Sequence, residues 1–140
     1  MRPPAHRSHP ARPLVLVADA DPQARRRLAR FLSGQGHETV LTSRGEQVLR
    51  LTRCGPVGAV VVDTRLADMG GHALATLLRE RHPRLAIIMT SADHRSEVEL
   101  RAREIGVVLY AHKPLDLRRV AAVVERAAAI CEADLGQTAS

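Results

Sequence analysis

A chain of 140 residues, 45% of them hydrophobic, holds enough apolar material for one compact domain and has no room for a second. No apolar run approaches the roughly 18 residues a membrane span needs, and the N-terminal MRPPAHRSHPARP lacks the apolar centre of a secretory signal, so a cytoplasmic protein is the expectation. The net charge of +6 raises the question of nucleic acid, but a chain with no Trp, one Tyr and one Phe has little with which to stack bases, and Arg2, Arg7 and Arg12 lie in the tail; a solvated basic surface is the better reading.

In chain order, residues 1–12 are rich in Pro, His and Arg without apolar period and read as a mobile basic tail, and residues 133–140 read as a short C-terminal tail. Between them, residues 13–132 form the expected domain. Short apolar runs at 14–18, 39–42, 57–62, 85–89 and 107–110 read as strands, three of them nearly uninterrupted, as in parallel strands covered on both faces. An amphipathic stretch follows each. The first sets Ala24, Leu28, Phe31 and Leu32 on one side and Arg25, Arg26 and Arg30 on the other, and stops at Gly34 and Gly36; the fifth runs from Leu117 to Cys131. Cys54 and Cys131 lack metal-ligand spacing and read as reduced thiols. Five strand–helix units in succession predict an α/β domain, a doubly wound five-stranded parallel sheet whose ligands bind at the carboxyl ends of the strands.

At those ends the sequence places Asp19, Asp63, Ser91 and, after a short extension, Lys113. Carboxylates ligate Mg²⁺ or attack phosphorus, a hydroxyl hydrogen-bonds phosphoryl oxygens, and an ammonium neutralises them, so the set points to phosphoryl transfer. Lys113 is the single lysine among 21 basic residues, which marks a place where a compact ammonium is not replaced by a planar guanidinium. Asp21, directly before Pro22, reads instead as a helix N-cap, and His94 and His112 read as exposed loop or helix-start residues.

Four segments together, VADADP, VVVDTRLADMGG, IIMTSA and YAHKP, resemble the receiver domains of two-component response regulators over about residues 13 to 131. The resemblance implies a flavodoxin-like receiver fold and a signalling role rather than enzymatic turnover. It implies Asp63 as phosphoacceptor, supplied by a histidine kinase or phosphotransfer protein; Ser91 and Lys113 gripping the phosphoryl group; and Tyr110 rotating inward as Ser91 moves. It also implies Mg²⁺ held by Asp19, Asp63 and the backbone carbonyl of Arg65. The surface altered by phosphorylation would be the fourth helix, fifth strand and fifth helix, near residues 96–104, 107–110 and 117–131, where dimers can also form. With no output domain following, a separate output protein is expected.

Two departures stand out. Receivers usually carry adjacent acids after the first strand, and here the pair is Asp19 and Ala20, so weak or absent Mg²⁺ binding is expected. Ala67 stands where the loop often has proline, with a looser loop as the expectation. Arg65 and Asp93 are placed to pair across the pocket mouth and shield the phosphoryl group. Two other readings fit parts of the sequence. One is a phosphorylation-independent pseudo-receiver, favoured by Ala20; the other is a haloacid-dehalogenase-like phosphatase built on Asp19 and Asp21, which leaves Asp63 without a role and lacks a later acidic motif.

Overall fold

The computed structural model describes residues 12–139. The expected tail at 1–12 lies outside the described residues except for Arg12, which is anchored: it donates to the Gly36 carbonyl at 2.7 Å and pairs with Glu132 at 3.4 Å. Five strands, β1 (Leu14–Ala18), β2 (Thr39–Thr42), β3 (Val57–Asp63), β4 (Ile87–Ser91) and β5 (Leu109–His112), alternate with helices α1 (Pro22–Gly34), α2 (Gly45–Cys54), α3 (Gly71–Arg81), α4 (Ser96–Ile105) and α5 (Leu117–Ala139). All strand pairs are parallel, in the order β2-β1-β3-β4-β5.

Strand alternation divides the core into two layers. Val15, Val17, Ala59, Val61 and Ile88 face α1 and α5, meeting Leu28, Leu32, Val120 and Val124. Leu16, Ala18, Val60, Val62, Ile87 and Met89 face the other way, onto Val48 of α2, Leu74 and Leu78 of α3 and Ala102 of α4. The chain leaves β1 to one side for β2 and returns to the other for β3, which opens a crevice at the carboxyl ends of β1 and β3.

Three boundaries differ from the sequence reading. The fourth and fifth strands begin two residues later than expected. Before β5, Gly106 adopts φ +100° and closes α4, and the Val107 N–H still bonds Ala102, so Val107 belongs to the helix cap. The last helix continues through the expected C-terminal tail to Ala139. Its extra turns are tied to the domain through the Arg84–Asp134 pair at 2.9 Å. No helix among the described residues is long and apolar enough to cross a membrane.

Candidate functional site

Asp19 follows β1, and Asp63 ends β3, the strand beside it. Both are almost fully buried, at 6% and 4% exposure. Lys113, carried past the end of β5, reaches back between them, with Nζ 2.6 Å from Asp19 Oδ2 and 2.9 Å from Asp63 Oδ1. The remaining oxygens are held by backbone: Asp19 Oδ1 accepts from the Asp21 N–H at 2.9 Å, and Asp63 Oδ2 accepts from the Arg65 N–H at 2.9 Å. Burial pushes the Asp19 carboxyl up from its ordinary value, against the pull of Lys113. Burial also pushes Lys113 down, but hydrogen bonds to Asp19 and Asp63 outweigh it and the ammonium is held above its ordinary range.

Asp21 does not enter the pocket. It is exposed, and its Oδ1 caps α1 by accepting from the Gln23 N–H at 3.0 Å, with Pro22 in the first turn. This removes the second carboxylate on which the phosphatase reading depends. Ala20 is exposed at the crevice, and its N–H donates to the Arg65 carbonyl at 3.1 Å. The position after Asp19 therefore adjoins the expected carbonyl donor, and it offers only a methyl group.

Ser91 is fully buried, but on the opposite face of β4 from Asp63. Its Oγ shares a hydrogen bond with Thr64 Oγ1 at 3.2 Å and accepts from the Asp93 N–H at 2.9 Å. The hydroxyl on Asp63 is instead that of Thr90, which donates to Oδ1 at 2.8 Å. Sequence reasoning passed over Thr90 because strand parity decides which of two consecutive hydroxyls faces the acid, and parity needs the register. The signal available was the Thr-Ser pair at the strand end. Tyr110 is already inside, 6% exposed, with its hydroxyl lacking a hydrogen-bond partner among the described residues. His112 lies edge-on to it at 5.3 Å and stacks on His94 at 4.6 Å.

Three further side chains depart from expectation. Asp93 pairs with Arg95 at 2.7 Å, not with Arg65, because Arg95 lies on the same turn and needs no bridge across the pocket mouth. That pair holds the Asp93 carboxyl down at about 2. Arg25 does not simply face water: its Nη1 donates to the Asp19 carbonyl at 2.8 Å. Ala67 does not loosen its loop, since its N–H donates to Ser43 at 2.8 Å, a bond proline cannot form.

Among the described residues no group of three His, Cys, Asp or Glu side chains is placed to hold a metal. The donors present, two carboxylates and the Arg65 carbonyl, suit a hard oxygen-seeking cation such as Mg²⁺, which keeps most of its waters and needs one or two carboxylates.

Fold and site together are those of a signalling module rather than a conventional enzyme. Residues 15–125 match the response regulator receiver domain, and the chain belongs to that family. Receiver domains act in two-component signal transduction with histidine kinases and generally bind Mg²⁺. Among curated proteins, the chain is 33% identical over 113 residues to the DNA-binding transcriptional regulator NtrC of Azospirillum brasilense and 32% identical over 116 residues to NtrC of Escherichia coli K12. These matches cover 81% and 83% of the chain but 24% and 25% of the relatives, so the chain spans about a quarter of their length. Among solved structures, the NtrX receiver domain of Brucella abortus is 29% identical with a TM-score of 0.75, covering 81% of this chain and 96% of that one. A receiver protein of Pseudomonas putida is 28% identical with a TM-score of 0.77, covering 84% and 99%.

Proposed function

We propose that this receiver accepts a phosphoryl group on Asp63 from the phosphohistidine of a histidine kinase or phosphotransfer protein, and signals through the face built by α4, β5 and α5. The observation that carries the reading is the bridging of two buried aspartates by Lys113. A buried carboxylate held by an ammonium and a backbone N–H is fixed in place, ready to attack. An Asp63 oxygen bonds phosphorus while the P–N bond breaks and leaves its electron pair on the imidazole. Lys113 balances charge on the phosphoryl oxygens, and the Thr90 hydroxyl, on the same face as Asp63, is placed to hydrogen-bond them, whereas Ser91 lies on the opposite face of β4. Asp19, Asp63 and the Arg65 carbonyl would hold Mg²⁺, which supplies further charge neutralisation at the transferred group. With Ala20 contributing no ligand, that binding is weak.

Incubation with a small acyl phosphate and Mg²⁺, followed by intact mass and peptide mapping, tests the reading. The expected result is one labile acyl phosphate on Asp63, absent from Asp63→Asn, which keeps the fold. A stable label on serine or histidine refutes it. The pseudo-receiver reading is favoured by one observation, the methyl group of Ala20 beside the Arg65 carbonyl, and predicts no label at all in the same experiment.

A further inference from the structure

At the amino ends of β3, β4 and β5, the pole of the sheet opposite the crevice, the surface opens into a groove of about 1260 Å³. One wall is α5, whose Val123, Ala127 and Ile130 fall at i, i+4 and i+7 and so share one face. The floor forms where the chain enters the strands, at Val57, Ala86 and Val108. The far wall is the end of α3, where Arg79 donates to the carbonyls of Pro83 at 2.9 Å and Gly106 at 2.8 Å and so joins that helix end to the cap of α4. Of the four large apolar side chains exposed among the described residues, three line this groove: Val108 and Ile130 at 55% each and Leu135 at 39%. Exposed apolar side chains gathered in one concave place mark a contact surface, whereas scattered ones do not.

Size and charge select the occupant. The volume exceeds the roughly 300–1,000 Å³ of small-molecule pockets, which favours a segment of another chain. Besides Arg79, the groove is lined by Arg81, Arg84 and Arg126, and the one acidic side chain lining it is Asp134, which Arg84 meets at 2.9 Å. The Arg84 side chain is 81% exposed, and an ion pair so open to water is weak, so Arg84 is able to turn to an incoming carboxylate. The groove therefore suits a partner that is apolar on one side and acidic along its flanks. Residues 1–11 of this chain carry Arg2 and Arg7 and no acid, and a second copy brings a net charge of +6, so both share the sign of the rim. The stripe on α5, with the small Ala127 at its centre, has the spacing that receives the ridge of another helix. We propose that this groove docks an acidic amphipathic helix of a partner protein, its apolar face on Val108 and Ile130 and its carboxylates on Arg81, Arg84 and Arg126. The crevice lies at the other end of every strand, so docking here is independent of Asp63 and holds the receiver beside its partner before and after modification.

The probe is a synthetic helical peptide of about five turns, with leucines along one face and glutamates on both flanks, titrated calorimetrically into the full chain beside a counterpart that has lysine at each glutamate. The glutamate peptide should bind one to one, more weakly as salt rises, and the lysine peptide at least about tenfold more weakly. Ile130→Asn should weaken binding of the glutamate peptide about fivefold, and Arg81→Glu and Arg126→Glu about threefold each. Leu100→Asn, which removes the exposed apolar side chain of α4, should bind as wild type. All four side chains are exposed, so the variants keep the fold. No binding of the glutamate peptide, equal binding of the two peptides, or unchanged affinity in Ile130→Asn and both arginine variants overturns the proposal. Tighter binding to phosphatidylglycerol vesicles than to the peptide, reduced by the same substitutions, makes the groove a lipid site, and dimerisation in sedimentation that Ile130→Asn abolishes makes it a contact between copies; either overturns it as well.

Discussion

Ala20 alters the electrostatics of the pocket more than its size suggests. Asp19 and Asp63 share one ammonium, and burial already pushes the Asp19 carboxyl up. Ala20→Asp adds a carboxylate beside the Arg65 carbonyl and should tighten Mg²⁺ binding by roughly tenfold, about 1.4 kcal/mol. Without metal the new charge raises Asp19 further. A carboxyl whose folded pKa exceeds its unfolded value contributes stability that is complete below the unfolded value and is lost as pH rises through the folded one. The variant should therefore lose stability relative to wild type as pH rises from about 4 to 7, and recover it on adding Mg²⁺; denaturant midpoints across that range, with and without metal, check both. At this scale the sequence disclosed Asp19, Asp63 and Lys113, because a polar residue at the end of an apolar run is visible in one dimension. Thr90 and Arg25 were hidden because their partners depend on register and on how a helix leans over a strand end.

Elements hold the site in place through backbone contacts that side-chain patterns do not reveal. α3 begins against the end of β3, where the Gly71 N–H donates to the Thr64 carbonyl at 2.9 Å. A Cβ on Gly71 would strike the Asp63 carbonyl oxygen and lie 2.8 Å from Thr64 Cα, both backbone atoms that cannot turn aside. Gly71→Ala should cost about 3 kcal/mol and slow the labelling of Asp63, measurable by thermal denaturation and intact mass. Gly45→Ala makes a useful contrast, since its Cβ meets the flexible end of Met69 and should cost less. On the far side of the crevice Asp68 accepts from the Gly45 and Glu46 N–H groups at 2.7 and 3.1 Å, capping α2 from the loop after β3. Apolar runs located every strand, and Gly34 and Gly36 the end of α1. The late start of β5 was not legible, because Val107 is as good a strand residue as Leu109 and only the cap at Gly106 assigns it to the helix.

Across the whole molecule, two apolar layers clamp the sheet, and the crevice lies where the chain changes direction between β1 and β3. The proposed acceptor and the proposed signalling face thus share one sheet, with β4 lying between Tyr110 on β5 and Asp63 on β3. That ring is also the sole tyrosine of a chain without tryptophan, so its near-ultraviolet emission is free of background from any other site. Its buried hydroxyl, without a hydrogen-bond partner among the described residues, costs about 1 to 3 kcal/mol, a debt relieved whenever the ring turns toward water or meets an acceptor. The protein therefore carries its own optical gauge. Emission from Tyr110 should change when wild type is treated with a small acyl phosphate and Mg²⁺ and stay constant in Asp63→Asn; a constant signal in a fully labelled wild type would place the conformational response away from this ring.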